Sequence, residues 1–403
     1  MPEQSPDGRR LTKRDYALLA LTVILTLAFI ASVSEIGARY AWPEQADDSC
    51  ETWDGDHGKV MPNCRSVVKT AEGQWVEYRY NECGFRSAAP CGPKPRGSLR
   101  VVVIGTSVSR GYWVSYHDSF SGRLEQDLSH SCQRPVEFQN LSVGVADGPI
   151  WHNAALEAPA ALRLDPDAIV LVVSNFDLIQ YTAPAPSTPG GSAQRAPFDP
   201  VGKLGELRQR FASDSRAMTM AMHFAFSDPD RYLRFFVQHV DSADYLRTPL
   251  SPAWRFRLET VDKTIGPLAA AARAAHVPIF LLLAPARPTV LLAHDAAEFP
   301  NLDPREFPKA LAGIAHQHGA VFVDPTSLDS RSPNWDRLFF VADGHPNAEG
   351  HRLMASALRS ALAENVPALR ACATSPSSPG PSARPLGAIQ ARSASLPQQG
   401  RDP

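Results

Sequence analysis

The sequence has no excess of charge of either sign: 40 Lys and Arg stand against 42 Asp and Glu, a formal net charge of −2 over 403 residues. A protein that works by coating nucleic acid needs a basic surface, so that class is excluded. Cysteine is scarce, with six in all, which excludes a small scaffold built on disulfides. The chain has no Cys-x2-Cys, so a structural zinc site is not expected. No internal repeat is present, and repeat architectures drop out. Proline is abundant at 36 residues, which points to some linkers or tails rather than packed structure throughout. Hydrophobic residues at 44% and charged residues at 20% suit a globular protein with ample core. The length allows two domains, or one large α/β domain with additions.

One long apolar run is present, Tyr16 to Val33, broken only by Thr22, Thr26 and Ser32. At 1.5 Å per residue it spans roughly 27 Å, close to the hydrocarbon thickness of a bilayer. Arg9, Arg10, Lys13 and Arg14 precede it; Glu35, Glu44, Asp47 and Asp48 follow, with a lone Arg39. The positive-inside bias predicts a cytoplasmic segment 1–15, a transmembrane helix over 16–37 and everything after about residue 40 outside. A cleaved signal peptide is the rival, since a basic n-region and an apolar core look alike. No clear small-x-small site follows the run, although Ala31-Ser32-Val33-Ser34 is weakly permissive. A buried soluble helix would carry a polar face, which this run lacks.

The cysteines agree with export. Cys50, Cys64, Cys83, Cys91, Cys132 and Cys372 are even in number and all lie beyond the apolar run. An oxidising compartment lets disulfides persist. Cys50 and Cys64 bracket a polar loop, and Cys83 and Cys91 bracket a Gly/Pro-rich one. These local pairs are expected, with Cys132–Cys372 following by elimination; the connectivity stays open among about 15 arrangements.

Residues 38–98 read as an irregular extracytoplasmic segment, in which Gln74 to Tyr80 alternates as a strand would. From Leu99 the pattern changes. Leu99–Ile104 is a short β-branched run ending at Gly105, the signature of a buried parallel strand. Val136–Val143, Ala168–Val173, Pro278–Leu283 and Ala320–Val323 are further strand candidates. Helical stretches lie between them at Ser119–Ser129, Asn153–Leu164, Phe256–Ala275, Pro304–His318 and Asn347–Glu364. Alternation of this kind implies a parallel sheet covered on both faces. Two segments break the rhythm. Thr182–Pro200 reads as a mobile loop, and Gly205–Val240 as one or two helices interrupted at Ser227-Asp228-Pro229, an inserted subdomain or else a lid or membrane-facing surface. The last stretch, 372–403, is Ser/Pro/Gly/Ala-rich and is expected to be disordered.

Chemistry concentrates at two places. Gly105-Thr106-Ser107-Val108-Ser109-Arg110-Gly111 follows the first strand, and sites form at the carboxyl ends of parallel strands. A Ser there either caps the next helix or serves as a nucleophile. It does not match a P-loop, which needs Gly-Lys-Ser/Thr, nor the Gly-x-Ser-x-Gly elbow. The second place is Phe339 to His351, where Asp343 precedes His345 by two residues on a Pro-containing loop that opens a helix. A carboxylate so placed can orient an imidazole as general base; the plain alternative is a helix cap beside a surface His.

Together the two places resemble the SGNH/GDSL hydrolase family. Gly105-Thr106-Ser107 with Gly111 is similar to its first block, Gly-Asp-Ser-x-x-x-Gly, and Asp118 to Leu128 is similar to the helix that follows it. Asn140-Leu141-Ser142-Val143-Gly144 resembles the second block, Ser174-Asn175-Phe176-Asp177 the third, and Asp343-x-His345-Pro346-Asn347 the last. Asn81-x2-Gly84-Phe85-Arg86 resembles a segment found before the first strand in membrane-anchored members. The chain departs from the pattern in four ways: Thr106 replaces an Asp, Gly144 follows Asn140 by four rather than five, Asn175 precedes Asp177 by two rather than one, and Asp343 precedes His345 by two rather than three. That last spacing is the one seen in alginate-acetylation relatives.

The resemblance implies a three-layer α/β/α fold with a mostly parallel five-stranded sheet (SGNH/flavodoxin-like) over residues 99–371; the residue pattern adds a helical insertion at about 180–255 and an N-terminal transmembrane helix. The resemblance implies Ser107 as nucleophile, His345 as base and Asp343 as its orienting acid; Asp324, at the end of the Val321-Phe322-Val323 strand, is the next carboxylate to suspect. Oxyanion donors would be the Ser107 amide, a backbone amide near Gly144 and the Asn175 side chain. No metal or cofactor is implied. The expected activity is deacylation of an envelope or secreted glycan by a periplasm-facing esterase of the inner membrane. The alternatives are an O-acetyltransferase served by a multispan partner, and an inactive glycan-binding or assembly protein.

Overall fold

The structure, a computed structural model, describes residues 12–42, 45–54, 57–142, 159–179, 215–238, 243–295, 299–327 and 335–373. Expectations for residues 1–11, Gly144, the Thr182–Pro200 loop and the tail beyond 373 lie outside these.

Helix α1 (Lys13–Ala41) opens on a capping box, with Thr12 and Asp15 bonded reciprocally. Its most apolar 18 residues have a mean hydropathy of 2.4, and none of them is buried. Length and composition therefore make α1 a candidate membrane span. Two small antiparallel hairpins follow: β1 (Glu51–Asp54) with β2 (His57–Val60), and β3 (Arg65–Val68) with β4 (Val76–Arg79). The segment expected to be irregular thus carries two hairpins, around a small core of Cys50, Val68, Tyr78 and Tyr80. Strand β4 lies within the stretch Gln74 to Tyr80 that was expected to be extended; β1, β2 and β3, four residues each, are too short for alternation to register in sequence.

The main sheet is five-stranded and wholly parallel, in the order β6-β5-β7-β8-β9. These strands are β5 (Leu99–Ile104), β6 (Val136–Asn140), β7 (Ala168–Val173), β8 (Ile279–Leu283) and β9 (Val321–Val323). All five fall within the stretches expected to be strands. Side chains alternate between two packed layers, as the period of a strand requires. Val102, Ile104, Ile169, Leu171 and Leu281 face Trp254, Leu258, Val261 and Leu311. Val101, Val103, Val170, Phe280 and Leu282 face Phe120, Leu124, Met354 and Leu358. Burial on both faces is why β7 and β8 are continuously apolar, and β5 is so apart from Arg100; β6, at the sheet edge, instead sets buried Glu137, Gln139 and Asn140 beside Val136 and Phe138.

The covering helices, in chain order, are α2 (Ser107–Arg110), α3 (Phe120–Cys132), α4 (Asn175–Ile179), α5 (Arg216–Phe226), α6 (Pro229–Gln238), α7 (Pro252–Ala274), α8 (Arg287–Asp295), α9 (Glu306–Gln317), α10 (Ala348–Asn365) and α11 (Pro367–Ala373). The break at Ser227-Asp228-Pro229 separates α5 from α6, as expected. Helix α5 packs beside the end of α1, where Glu35 accepts hydrogen bonds from Ser215 Oγ and the backbone of Arg216 and Ala217. Disulfides join Cys50 to Cys64 and Cys83 to Cys91. Cys132 is also disulfide-bonded; the side chain of Cys372 lies outside the described residues.

Candidate active site

The site assembles at the carboxyl ends of β5 and β7. Strand β5 ends at Ile104, and after Gly105 and Thr106 the chain turns into α2, whose first residue is Ser107. Gly105 has a physical reason: a Cβ there would lie 2.2 Å from Ser109 Oγ. Ser109 itself is buried and bonded to Thr106 O and Ser142 Oγ, so of the two serines only Ser107 is available for chemistry. Thr106 does not cap α2, because its hydroxyl donates to Asp177 Oδ1. Asp177 Oδ2 accepts from the backbone and hydroxyl of Ser174. Asp177 therefore ties the end of β7 to the residue just before Ser107.

Residues 339–346 form a small closed turn. Phe339 bridges Pro346, Phe340 N donates to His345 O, and Gly344 N donates to Phe340 O. Gly344 sits at φ +84°, a conformation that disfavours any residue with a Cβ. The tight turn brings both side chains of Asp343-x-His345 to one side. His345 Nδ1 lies 2.6 Å from Asp343 Oδ1, and His345 Nε2 lies 2.8 Å from Ser107 Oγ. With the ring neutral, Nδ1–H donates to Asp343 and Nε2 accepts from the Ser107 hydroxyl.

Two aromatic residues that no motif marks complete the setting. Trp113 Nε1 donates to Asp343 Oδ2 at 3.2 Å. The Tyr112 ring stacks near His345, with centroids 5.5 Å apart and planes 20° apart. Burial alone would raise the Asp343 carboxyl, but the His345 charge, its two N–H groups and the Trp113 indole hold it below the usual carboxylate range. Burial opposes a charge on His345; Asp343 outweighs it, with Asp177 assisting, and the imidazole is raised above its ordinary value. Asp177 is pushed up by burial against its own hydrogen bonds.

Asn175 lies at the start of α4, is 1% exposed, and has both side-chain polar atoms without a hydrogen-bond partner among the described residues. It lines a narrow pocket with Tyr245, Ala284 and Thr289. The next residue, Phe176, faces the turn that carries Asp343 and His345: its ring tip would stand 3.8 Å from a Cβ on Gly344. Asp324 is elsewhere, accepting from Thr326 N and Oγ1. The candidates Ser107, His345 and Asp343 are thus in one hydrogen-bonded row. Gly144 is outside the described residues.

A buried scaffold supports the row. Arg86 donates to the carbonyls of Arg110, Gly111 and Val114, and its guanidinium lies over the Tyr78 ring. Arg110 is fully buried and bonds Glu51 and the Tyr112 hydroxyl. The motif around Arg86 carried a sequence signal; Trp113, Tyr112 and Arg110 carried none.

The family model for GDSL-like lipases and acylhydrolases matches residues 103–353. The chain belongs to this family. It is an SGNH-type hydrolase of ester bonds, with the sheet and helical layers of that fold. No protein of curated function matches it by sequence. Among solved structures it is similar to a member of the lipolytic G-D-S-L family from Veillonella parvula, at 14% identity and a TM-score of 0.34, over 65% of this chain and 97% of that one. It is similar to a lipase/acylhydrolase from Enterococcus faecalis at 11% identity and a TM-score of 0.36, covering 66% and 95%. A two-domain esterase active on acetylated mannans matches at 12% identity and a TM-score of 0.35, covering 72% of this chain and 53% of that one.

Proposed function

We propose that this GDSL-family hydrolase is anchored in the cytoplasmic membrane by α1, with its catalytic domain on the outer, periplasmic side. There it removes acyl groups, acetyl foremost, from an envelope or secreted glycan by a Ser-His-Asp mechanism. The observation that carries the reading is the unbroken row Ser107 Oγ, His345 and Asp343, at 2.8 and 2.6 Å. In it, Ser107 Oγ attacks the ester carbonyl while His345 Nε2 takes the hydroxyl proton. Asp343 holds the ring and balances the imidazolium. His345 then gives that proton to the departing sugar oxygen, leaving acyl-Ser107. Water, deprotonated by His345, attacks the acyl-enzyme and releases the carboxylic acid.

The tetrahedral oxyanion needs N–H donors. The Ser107 amide, the Asn175 side chain and an amide near Gly144 are assigned to it, and losing one such donor costs about 3 kcal/mol in barrier. Asn175 Nδ2 is buried and unpartnered, and an orphaned buried donor gains most from a charged acceptor. The basic flank before the apolar run and the disulfides beyond it support the outward orientation.

The Asp-x-His spacing keeps a second reading in view: transfer of the acyl group to a sugar hydroxyl in place of water. A single span cannot carry an acyl donor across the bilayer, so that reading requires a multispan partner. The test is labelling by a fluorophosphonate and hydrolysis of a chromogenic acetyl ester, with Ser107→Ala abolishing both. Labelling that persists in the variant, at Ser109 for instance, sinks the assignment. Loss of acetate from a polysaccharide supports hydrolysis, and gain supports transfer.

A further inference from the structure

The turn that carries Asp343 is held from outside by a residue that belongs to no motif. Glu72 sits in the turn between β3 and β4. Its carboxylate accepts the Ala342 N–H on both oxygens at 2.9 Å, and the Asp343 N–H on Oε2 at 3.1 Å. Its Oε1 also meets His223 Nδ1, on α5, at 2.5 Å. The Glu72 side chain is only 3% exposed. The His223 ring in turn packs edge-on against Trp42, the C-cap of α1.

These bonds act on the part of the turn that its own hydrogen bonds leave open. Within residues 340–345 the backbone is closed by Phe340 N to His345 O and Gly344 N to Phe340 O. The N–H groups of Ala342 and Asp343 instead point outward to Glu72. Two consecutive amides bound by one carboxylate fix both peptide planes flanking Ala342, and so fix the direction in which the Asp343 side chain leaves the backbone. Asp343 must meet His345 Nδ1 at 2.6 Å and Trp113 Nε1 at 3.2 Å at once. A small rotation of either plane would break one of these contacts.

We infer that Glu72 is a positioning residue for the Ser107–His345–Asp343 row, acting through the backbone of 342–343, and that His223 orients the Glu72 carboxylate from α5. The inference rests on the esterase reading above. The alternative is a purely structural role, in which the hydrogen bonds stabilise the fold and leave turnover alone.

The experiment uses the full-length protein in detergent, with active sites counted by fluorophosphonate so that unfolded molecules do not enter the rate. Glu72→Ala is expected to lower kcat per active site about tenfold to a hundredfold, the range that loosened geometry produces. KM should stay within about twofold, because Glu72 is not placed against the substrate. Glu72→Gln keeps one carbonyl oxygen for the two amides and should recover part of the loss. The low-field proton signal of His345 Nδ1–H should weaken in Glu72→Ala and return in Glu72→Gln. If Glu72→Ala yields no folded protein, Glu72→Asp takes its place, being one methylene short of both amides. An unchanged kcat per active site with a lowered Tm overturns the inference while leaving the esterase reading intact. A wild-type protein that neither labels nor hydrolyses brings down both.

Discussion

Asp343 faces three donors at once: the His345 ring, the His345 backbone and the Trp113 indole. Asp343→Asn keeps the volume but favours the wrong imidazole tautomer and removes the balancing charge. Turnover should fall by about 10⁴-fold with Tm unchanged, measured as kcat beside a thermal melt. A loss below about tenfold would mean a Ser–His dyad or another acid. His345 titrates above its ordinary 6.5, and only its neutral form can take the Ser107 proton. kcat/KM should therefore rise with pH through an apparent pKa above 6.5. A limb at or below that value would show that Asp343 does not hold the ring. Ser107, Asp343 and His345 were legible in the sequence because each stands within a short local motif. Trp113 was not: its bond to Asp343 spans 230 positions, and only the packed fold brings the two together. The same is true of Glu72, at a separation of 271 from Asp343.

Between residues and molecule, the elements divide by how they are buried. Strands β5, β7 and β8 were legible as apolar runs because both faces of the sheet are covered, whereas β6 mixes Val136 and Phe138 with Glu137, Gln139 and Asn140. In the hairpins β4 was legible from the alternation of Gln74 to Tyr80, but β1, β2 and β3 were not, being four residues long, with Val67 on the exposed side of β3. Their function is nonetheless specific. They place Glu51 on Arg110, and the segment after them brings Arg86 to the loop that ends in Trp113. Arg86→Met removes a guanidinium that satisfies three carbonyls, leaving these acceptors buried. A loss on the order of 3 kcal/mol is expected, read as a lower denaturation midpoint. Activity should fall too, since the 110–114 loop presents Trp113 to Asp343. A variant with wild-type stability would remove Arg86 from this scaffold. At the same scale, mass mapping without reduction should recover the Cys50–Cys64 and Cys83–Cys91 peptides as linked pairs; free thiols at these four positions in protein from its native compartment would count against export.

For the whole molecule, stability and pH are linked through a second histidine. His351 is buried against Phe120, and burial pushes its pKa down to about 3. The unfolded chain takes up that proton near its ordinary 6.5, so stability is full above 6.5 and declines as pH falls toward 3. The slope is up to about 1.4 kcal/mol per pH unit. His345 has the opposite sign: its contribution is present below the ordinary value and is lost as pH rises through its raised folded one. Tm should therefore fall between pH 6.5 and 4, and His351→Gln should flatten that fall. An equal slope in the variant would assign the acid sensitivity elsewhere. Orientation is tested by a reporter fused after Leu99, expected to be active only when exported.

The junction between α1 and the rest of the chain sets a last constraint. Trp42 ends α1, and Ala46 is already paired with Lys69, so at most about 14 Å of extended chain separates helix from domain. Glu35 and Trp42 of α1 also grip α5. A catalytic centre mounted this way cannot roam on a tether. If α1 spans a membrane, as proposed above, the site would work at one fixed height, deacylating ester groups that pass through that plane and leaving untouched any that have moved beyond it.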